Sequence, residues 1–362
     1  MVFHTWLIIS NGYQYLGVIM KSIGICGHFG GNKNFLDGQT VKTKIVTKEL
    51  EKEFGDNEVK KVDTFGGKKR LVPIVLNLIS LVMNCKNIII LPAHNSLRIF
   101  APLLAFMNNF YHRKLHYVVI GGWLPEFVST RKRLQRALMK FDFIYVETNT
   151  MKNNLEAIGF SNVIVMPNCK ELNILEPQGL VYTNEEPYRL CTFSRVMKEK
   201  GIEDAVDAVI AVNEEMGRIA YTLDIYGQID SNQVEWFRKL EEGFPRYIKY
   251  KGLVDFDKTT EVLKDYFMLL FPTYYKGEGF AGTLIDAMAA GVPVIASDWR
   301  YNSEIVKDGK IGFIIRENLK AELVKVLSTI DKVNNMKATN LVEAEKYLPK
   351  NTIKILLKKI ER

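Results

Sequence analysis

Residues 276–306 read KGEGFAGTLIDAMAAGVPVIASDWRYNSEIV. Gly277, Gly279 and Gly282 leave backbone amides uncovered just before a helix that the pattern runs from about Gly282 to Ala290 and stops at Gly291. A short apolar strand follows at 293–296, so loop, helix and strand come in immediate succession. Unpaired N–H groups and the helix dipole at such a start both favour negative charge, which makes this loop a candidate anion site. Glu278 sits beside it, and Asp286, eight residues later, lies about a turn inside the helix. Two acceptor-only carboxylates flanking an anion cradle suit the hydroxyls of sugars on either side of a diphosphate. The plainer alternative is that acids decorate a helix N-terminus, where they are favoured in any case.

The same alternation extends outward in both directions. Downstream of residue 187, apolar runs near 190–194, 221–226, 247–251, 267–271, 293–296 and 312–315 read as strands, with helical stretches at about 201–216, 232–242, 257–264 and 282–290, then 332–347 and 350–361. Upstream, strands are expected near 22–27, 59–63, 87–91, 115–120, 142–146 and 163–166. In the stretch 40–54, Val41, Ile45, Val46, Leu50 and Phe54 share one helical face. Strands covered by helices in this way are parallel and doubly wound. The fold class is therefore α/β: two Rossmann-like domains facing a cleft, where such sheets bind ligands at their carboxyl ends. The expected boundaries are a non-core extension at 1–19, a first domain at 20–170, a linker at 171–187 rich in acids and prolines, and a second domain at 188–349. The terminal helix at about 350–362 is free to pack back on the first domain.

A chain of 362 residues with 47% hydrophobic, 25% charged and 11% aromatic residues has the size for two domains and none of the depletion of a disordered chain. Cys26, Cys85, Cys169 and Cys191 form neither a metal-ligand pair nor a disulfide framework, which points to a reducing compartment. Residues 1–170 hold 22 Lys/Arg against 11 Asp/Glu, and residues 171–362 hold 27 against 30, so the basic charge belongs to the first half. Such a half suits an anionic substrate or an anionic membrane surface, or is a solvated face; no nucleic-acid module appears. Residues 1–20 carry no charge, yet His4, Ser10, Asn11 and Gln14 break up any signal-like apolar core, so Met20 reads as the effective start. Leu71–Met83, the longest apolar run, is too short to span a bilayer.

A second constellation is CTFSRVMKEKGIEDAVDAV (191–209), with Arg195 at the end of a strand and Lys200 just ahead of a helix. Both cations can reach one point, where they would stabilise the charge developing on a leaving diphosphate, unless they are merely surface cations on a loop. The two segments, in this order and at this separation, resemble the nucleotide-sugar half of a retaining GT-B glycosyltransferase of family four. The family's Arg-x4-Lys-Gly is matched by Arg195, Lys200 and Gly201, and its Glu-x7-Glu by Glu278 and Asp286. The stretches YVVIGGWLPEF (117–127) and YVETNTMKNNLEAIGFSNVIVMPN (145–168) are similar to members that assemble bacterial capsular or O-antigen polysaccharides.

The resemblance implies roles. Arg195 and Lys200 would bind the donor diphosphate together with the amides of Gly279, Phe280, Ala281, Gly282 and Thr283. Glu278 would touch the transferred sugar, and Asp286 would take the ribose hydroxyls. Gly38, in the loop GHFGGNKNFLDGQT (27–40), matches the glycine whose amide meets the phosphate, and the base would lie near Gly227 and Leu253. This chain departs from the pattern in carrying Asp286 where a second Glu is usual, and Gly121-Gly122-Trp123 where many members carry a His. On the acceptor side, Trp123 and Glu126 are candidates to stack on and hydrogen-bond a sugar, with a buried Trp and a rim Glu as the equal alternative. His94 is a further candidate whose ordinary reading is a core or capping residue.

The basic stretch VSTRKRLQRALMKF (128–141) reads as one amphipathic helix, either an ordinary Rossmann helix or one attracted to anionic lipid. Together these readings give a cytoplasmic glycosyltransferase, peripheral to the inner membrane face if that helix binds lipid. It would use a nucleoside diphosphate sugar, a UDP-sugar first among them, on a glycan or lipid-linked saccharide acceptor in bacterial surface polysaccharide synthesis. No cofactor is expected and no metal, since no Asp-x-Asp motif or His cluster is placed to hold one. The alternatives are a nucleotide-sugar epimerase on the same fold and a non-catalytic partner of another glycosyltransferase.

Overall fold

The computed structural model of the chain describes residues 20–31, 38–66 and 70–360. The reading of residues 1–19, and of 32–37 in the loop at 27–40, lies outside the described residues. Two compact units emerge. Of the described residues, one comprises those up to Ile120, Leu124–Met166 and those from Ile353; the other comprises Gly121–Trp123 and Pro167–Thr352.

The first unit runs β1 (Lys21–Gly27), α1 (Gly38–Phe54), β2 (Val59–Asp63), α2 (Leu71–Asn84), β3 (Cys85–Ile90), α3 (His94–Tyr111), β4 (Lys114–Val118), α4 (Leu124–Ser129), α5 (Lys132–Leu138), β5 (Phe143–Val146), α6 (Asn149–Glu156) and β6 (Val163–Val165). Its six strands are parallel in the order β2-β1-β3-β4-β5-β6. Gly24 in the middle of β1 is one reason the sheet is tightly covered: a Cβ there would stand 3.1 Å from both Leu81 and the Cys85 sulfur. From α1, Val46 and Leu50 enter the core beside Ile23 and Ile25, and Ile353, Leu356 and Ile360 of the C-terminal segment join the same cluster.

The second unit runs β7 (Tyr188–Phe193), α7 (Ile202–Met216), β8 (Tyr221–Tyr226), α8 (Val234–Glu242), β9 (Ile248–Gly252), α9 (Thr259–Leu263), β10 (Met268–Phe271), α10 (Gly282–Ala289), β11 (Val294–Ser297), α11 (Asn302–Ile305), β12 (Gly312–Ile315), α12 (Leu319–Leu327) and α13 (Ile330–Ala344). The closing α14 (Pro349–Leu357) begins in this unit. Its parallel strand order is β12-β11-β10-β7-β8-β9. The order therefore reverses between β7 and β10, and a crevice opens at the carboxyl ends of strands that diverge in this way.

All twelve expected strands are present, each within one or two residues at most of its bounds. The basic stretch 128–141 is a correction. It is not one helix, because the chain breaks at Thr130 and Arg131, and Arg131 takes a non-helical conformation (φ −115°, ψ 71°). The Gln135 amide donates to the Val128 and Ser129 carbonyls (2.8 and 3.1 Å), satisfying carbonyls at the end of α4 from within α5. The segment 171–187 is fastened along the second unit: Leu175 N donates to Ala289 O (2.8 Å), and Asn334 exchanges hydrogen bonds with Thr183. All four cysteines are buried and free. Among the described residues no helix is long and apolar enough to cross a membrane.

Candidate functional site

The crevice between β7 and β10 is shaped first by glycines. Gly227, just past β8, has φ 133°, and a Cβ on it would fall 1.7 Å from the Ser194 carbonyl oxygen, so only glycine lets the ends of β7 and β8 meet. Tyr250 of β9 closes the same corner by donating to Gly227 O (2.9 Å). Gly201 (φ 71°) opens α7 with its backbone against Pro272, where a Cβ would stand 2.3 Å from the carbonyl oxygen. That contact carries Lys200 to the end of β10.

There Lys200 Nζ lies 2.6 Å from Glu278 Oε2, with the two side chains only 13% and 7% exposed. Thr273 Oγ1 donates to the same carboxylate oxygen at 2.9 Å. The ammonium also sits 5.5 Å from the Phe271 ring and 5.2 Å from the Tyr275 ring, a site in which a desolvated cation keeps favourable contacts. Lys200 and Glu278, far apart in sequence, are thus a preformed pair. Arg195 takes a different partner: it is exposed, and its guanidinium lies 3.6 Å from Asp230 Oδ2. The two cations flank the crevice while holding separate carboxylates.

The glycine loop closes over the end of β10. Gly279 is pressed against Gly121 and Gly122, where a Cβ would come within 2.7 Å of backbone, and Tyr301 Oη donates to Gly122 O (2.7 Å). Phe280 is buried edge-on to Tyr347, and its carbonyl accepts from Asn168 Nδ2 (3.0 Å), so its side chain serves packing while its backbone faces the loop. At Ala281, the N-cap of α10, no side chain caps the helix, and open space surrounds the position of a Cβ on Gly282. Thr283 Oγ1 donates to Phe193 O (2.6 Å), which fixes the start of α10 to the end of β7. A helix N-terminus without a side-chain cap, with a cation nearby, is an arrangement that suits an anion.

Asp286 is buried one turn inside α10, and Lys170 Nζ grips both its carboxylate oxygens at 2.7 and 2.6 Å. Burial raises the Asp286 carboxyl above its ordinary range, and Lys170 pulls in the opposite direction. Lys170 was not legible in advance, because it lies 116 residues away and belongs to no local motif. Leu253, by contrast, is strongly exposed beyond β9.

In the first unit, Gly38 opens α1 with free space around it. Glu126 of the same unit is exposed, and Trp123, which belongs to the second unit, is half-buried. His94 is not a core residue: it is exposed at the first position of α3, edge-on to Phe127 at 5.1 Å, with the Arg131 guanidinium 4.0 Å from the same ring. Partial burial, then Arg131, lower its pKa. An Asp-x-Asp pair, Asp255 and Asp257, stands exposed after β9, and among the described residues no three His, Cys, Asp or Glu side chains converge as a metal group would.

Residues 187–330 match the family model described as glycosyl transferases group 1. The chain carries a glycosyltransferase domain. It is 32% identical over 180 residues to the UDP-N-acetylglucosamine–peptide N-acetylglucosaminyltransferase GtfA subunit of Streptococcus gordonii, a match covering 49% of this chain and 34% of that protein. The chain thus spans about a third of that relative's length. Two solved structures share the whole fold. The Anabaena protein HepE, in complex with UDP and glucose, matches with TM-score 0.65 and 14% identity over 93% of this chain and 98% of that one. The lipopolysaccharide outer core galactosyltransferase WaaB in its apo form matches with TM-score 0.68 and 16% identity over 94% and 99%. The glycosyltransferase domain stands on a GT-B fold.

Proposed function

We propose that this protein is a retaining glycosyltransferase that moves a sugar from a nucleoside diphosphate sugar, a UDP-sugar first among them, to a glycan or lipid-linked saccharide. We place it in the cytoplasm, in bacterial surface polysaccharide synthesis of the capsule or O-antigen kind. The observation that carries the reading is the Lys200–Glu278 pair (2.6 Å) beside the uncapped start of α10. An ammonium has three donors, so Lys200 can hold Glu278 with one and a phosphate oxygen with another. As the sugar–phosphate bond breaks, charge grows on the leaving diphosphate, where Lys200, Arg195 and the amides of residues 279–283 meet it. These groups supply the charge that a metal would otherwise bring, which supports a metal-independent reaction. In the retaining course, the acceptor hydroxyl approaches from the face the diphosphate leaves, and the leaving phosphate takes its proton. Glu278, held in place by Lys200 and Thr273, orients the transferred sugar. Asp286, held by Lys170, is the candidate for the ribose hydroxyls, and Trp123 and Glu126 are the acceptor candidates.

The test is consumption of UDP-sugars with and without a mixed saccharide acceptor, with the anomer of the product read by NMR. Transfer that needs acceptor and keeps the anomeric configuration supports the proposal. Sugar interconversion without acceptor would identify an epimerase instead, and an inverted product would overturn the retaining course.

A further inference from the structure

The chain steps along the first sheet in one direction from β2 to β3, β4 and β5, and in the other from β1 to β2. With right-handed crossovers, α2, α3 and α5 therefore cover one face of the sheet and α1 the opposite face. The contacts agree: α2 packs on α3, and α3 on α5. The outward side of this layer is unusual. Val72, Leu76 and Met83 on α2, and Ile99, Phe106 and Phe110 on α3, are all between 42% and 70% exposed. Their spacings of 4 and 7, then 7 and 4, set each trio on one stripe of its helix. Phe106 and Phe110 touch edge to face at 5.7 Å. Two parallel stripes of large apolar side chains turned to solvent mark an interaction surface.

Charge selects the partner. Residues 64–125 contain seven Lys and Arg and no Asp or Glu. Arg70, Lys86 and Arg98 are exposed within this stretch, and the neighbouring α5 exposes Lys132, Arg133 and Arg136. Two copies of this face brought together would set cations against cations. An anionic bilayer answers both features, taking apolar side chains into its acyl boundary and cations among its headgroups.

We propose that the outer face of α2, α3 and α5 docks on anionic phospholipid, with the α2 and α3 stripes inserted and α5 lying at the headgroups. This goes beyond the transferase reading and does not need it. The test is co-sedimentation of the full chain with phosphatidylcholine vesicles that either contain or lack phosphatidylglycerol, without donor or acceptor. The parent chain should bind the anionic vesicles, and Leu76→Gln with Phe106→Gln and Phe110→Gln should weaken binding by about tenfold or more, since each change removes an inserted apolar group. All three residues are solvent-exposed, so the melting temperature should hold. Arg133→Gln with Arg136→Gln should leave a weaker binding that salt no longer affects as strongly. No binding by the parent chain would overturn the proposal. So would equal binding by the apolar triple variant, or a dimer that this variant dissolves, which would mark the face as a self-interface.

Discussion

Replacing Lys200 by methionine separates what the Lys200–Glu278 pair does for the fold from what it does for the reaction. The side chains are 13% and 7% exposed at 2.6 Å, so removing the ammonium strands a buried carboxylate. Breaking such a pair costs about 3–5 kcal/mol. Thr273 still donates to Glu278 at 2.9 Å, which places the cost near the lower end, about 3 kcal/mol. At about 2–4 °C per kcal/mol for a unit of this size, the melting temperature should fall by about 6–12 °C. Adding Glu278→Gln removes the stranded charge but keeps an acceptor for Thr273, so the double variant should return to within about 1 kcal/mol of the parent. Transfer should not return with it: at saturating donor, both variants should lose more than about tenfold, because the cation acts on charge that develops only in the transition state. Thermal melts and initial rates on the same preparations give both numbers. A double variant that is stable and turns over within about twofold of the parent would refute the diphosphate role, since about 1.4 kcal/mol separates each factor of ten.

Further outcomes follow from the same geometry. For Asp286, burial raises the folded pKa above 3.8, so its ionisation works against folding as pH rises past that value; removing Lys170 strengthens the effect. Lys170→Met should therefore lose melting temperature more steeply than the parent between acid and neutral pH, and Asp286→Asn in that background should flatten the slope; parallel pH profiles would remove Lys170 from the account. Gly227→Ala should destroy soluble expression, because its Cβ would fall 1.7 Å from a carbonyl oxygen, whereas Gly282→Ala meets open space and should melt like the parent. Equal behaviour of the two would contradict the packing described at the end of β7. Transfer should persist in EDTA, and its loss with rescue by Mn²⁺ or Mg²⁺ would show a metal-assisted reaction.

The strands were legible because short apolar runs with flanking turn residues have few other uses in a chain of this composition. The anion site was legible because its glycines, its helix start and Lys200 are each local signals. Less was visible where nearly every position is apolar: in α2, Ile74, Leu78, Leu81 and Val82 face the core while Val72, Leu76 and Met83 face solvent, and the run LVPIVLNLISLVM offers only Asn77 and Ser80 as polar residues to mark the difference. The break between α4 and α5 depends on Gln135 reaching back to two carbonyls, which periodicity does not report. The Lys170–Asp286 pair, and the packing of Gly279 on Gly121 and Gly122, are long-range contacts that only the folded chain brings together.

The central claim is that the crevice between β7 and β10 binds the diphosphate of a nucleotide. The most direct measurement is the melting temperature of the full chain with each common nucleoside diphosphate and its parent nucleoside. A ligand at 100 times its dissociation constant adds about 2.7 kcal/mol, or roughly 5–11 °C here. At least one diphosphate, UDP first, should produce that rise while its nucleoside does not, and the Lys200→Met, Glu278→Gln double variant should lose most of it. No stabilisation by any nucleoside diphosphate, or an equal rise with the nucleoside alone, would contradict the account.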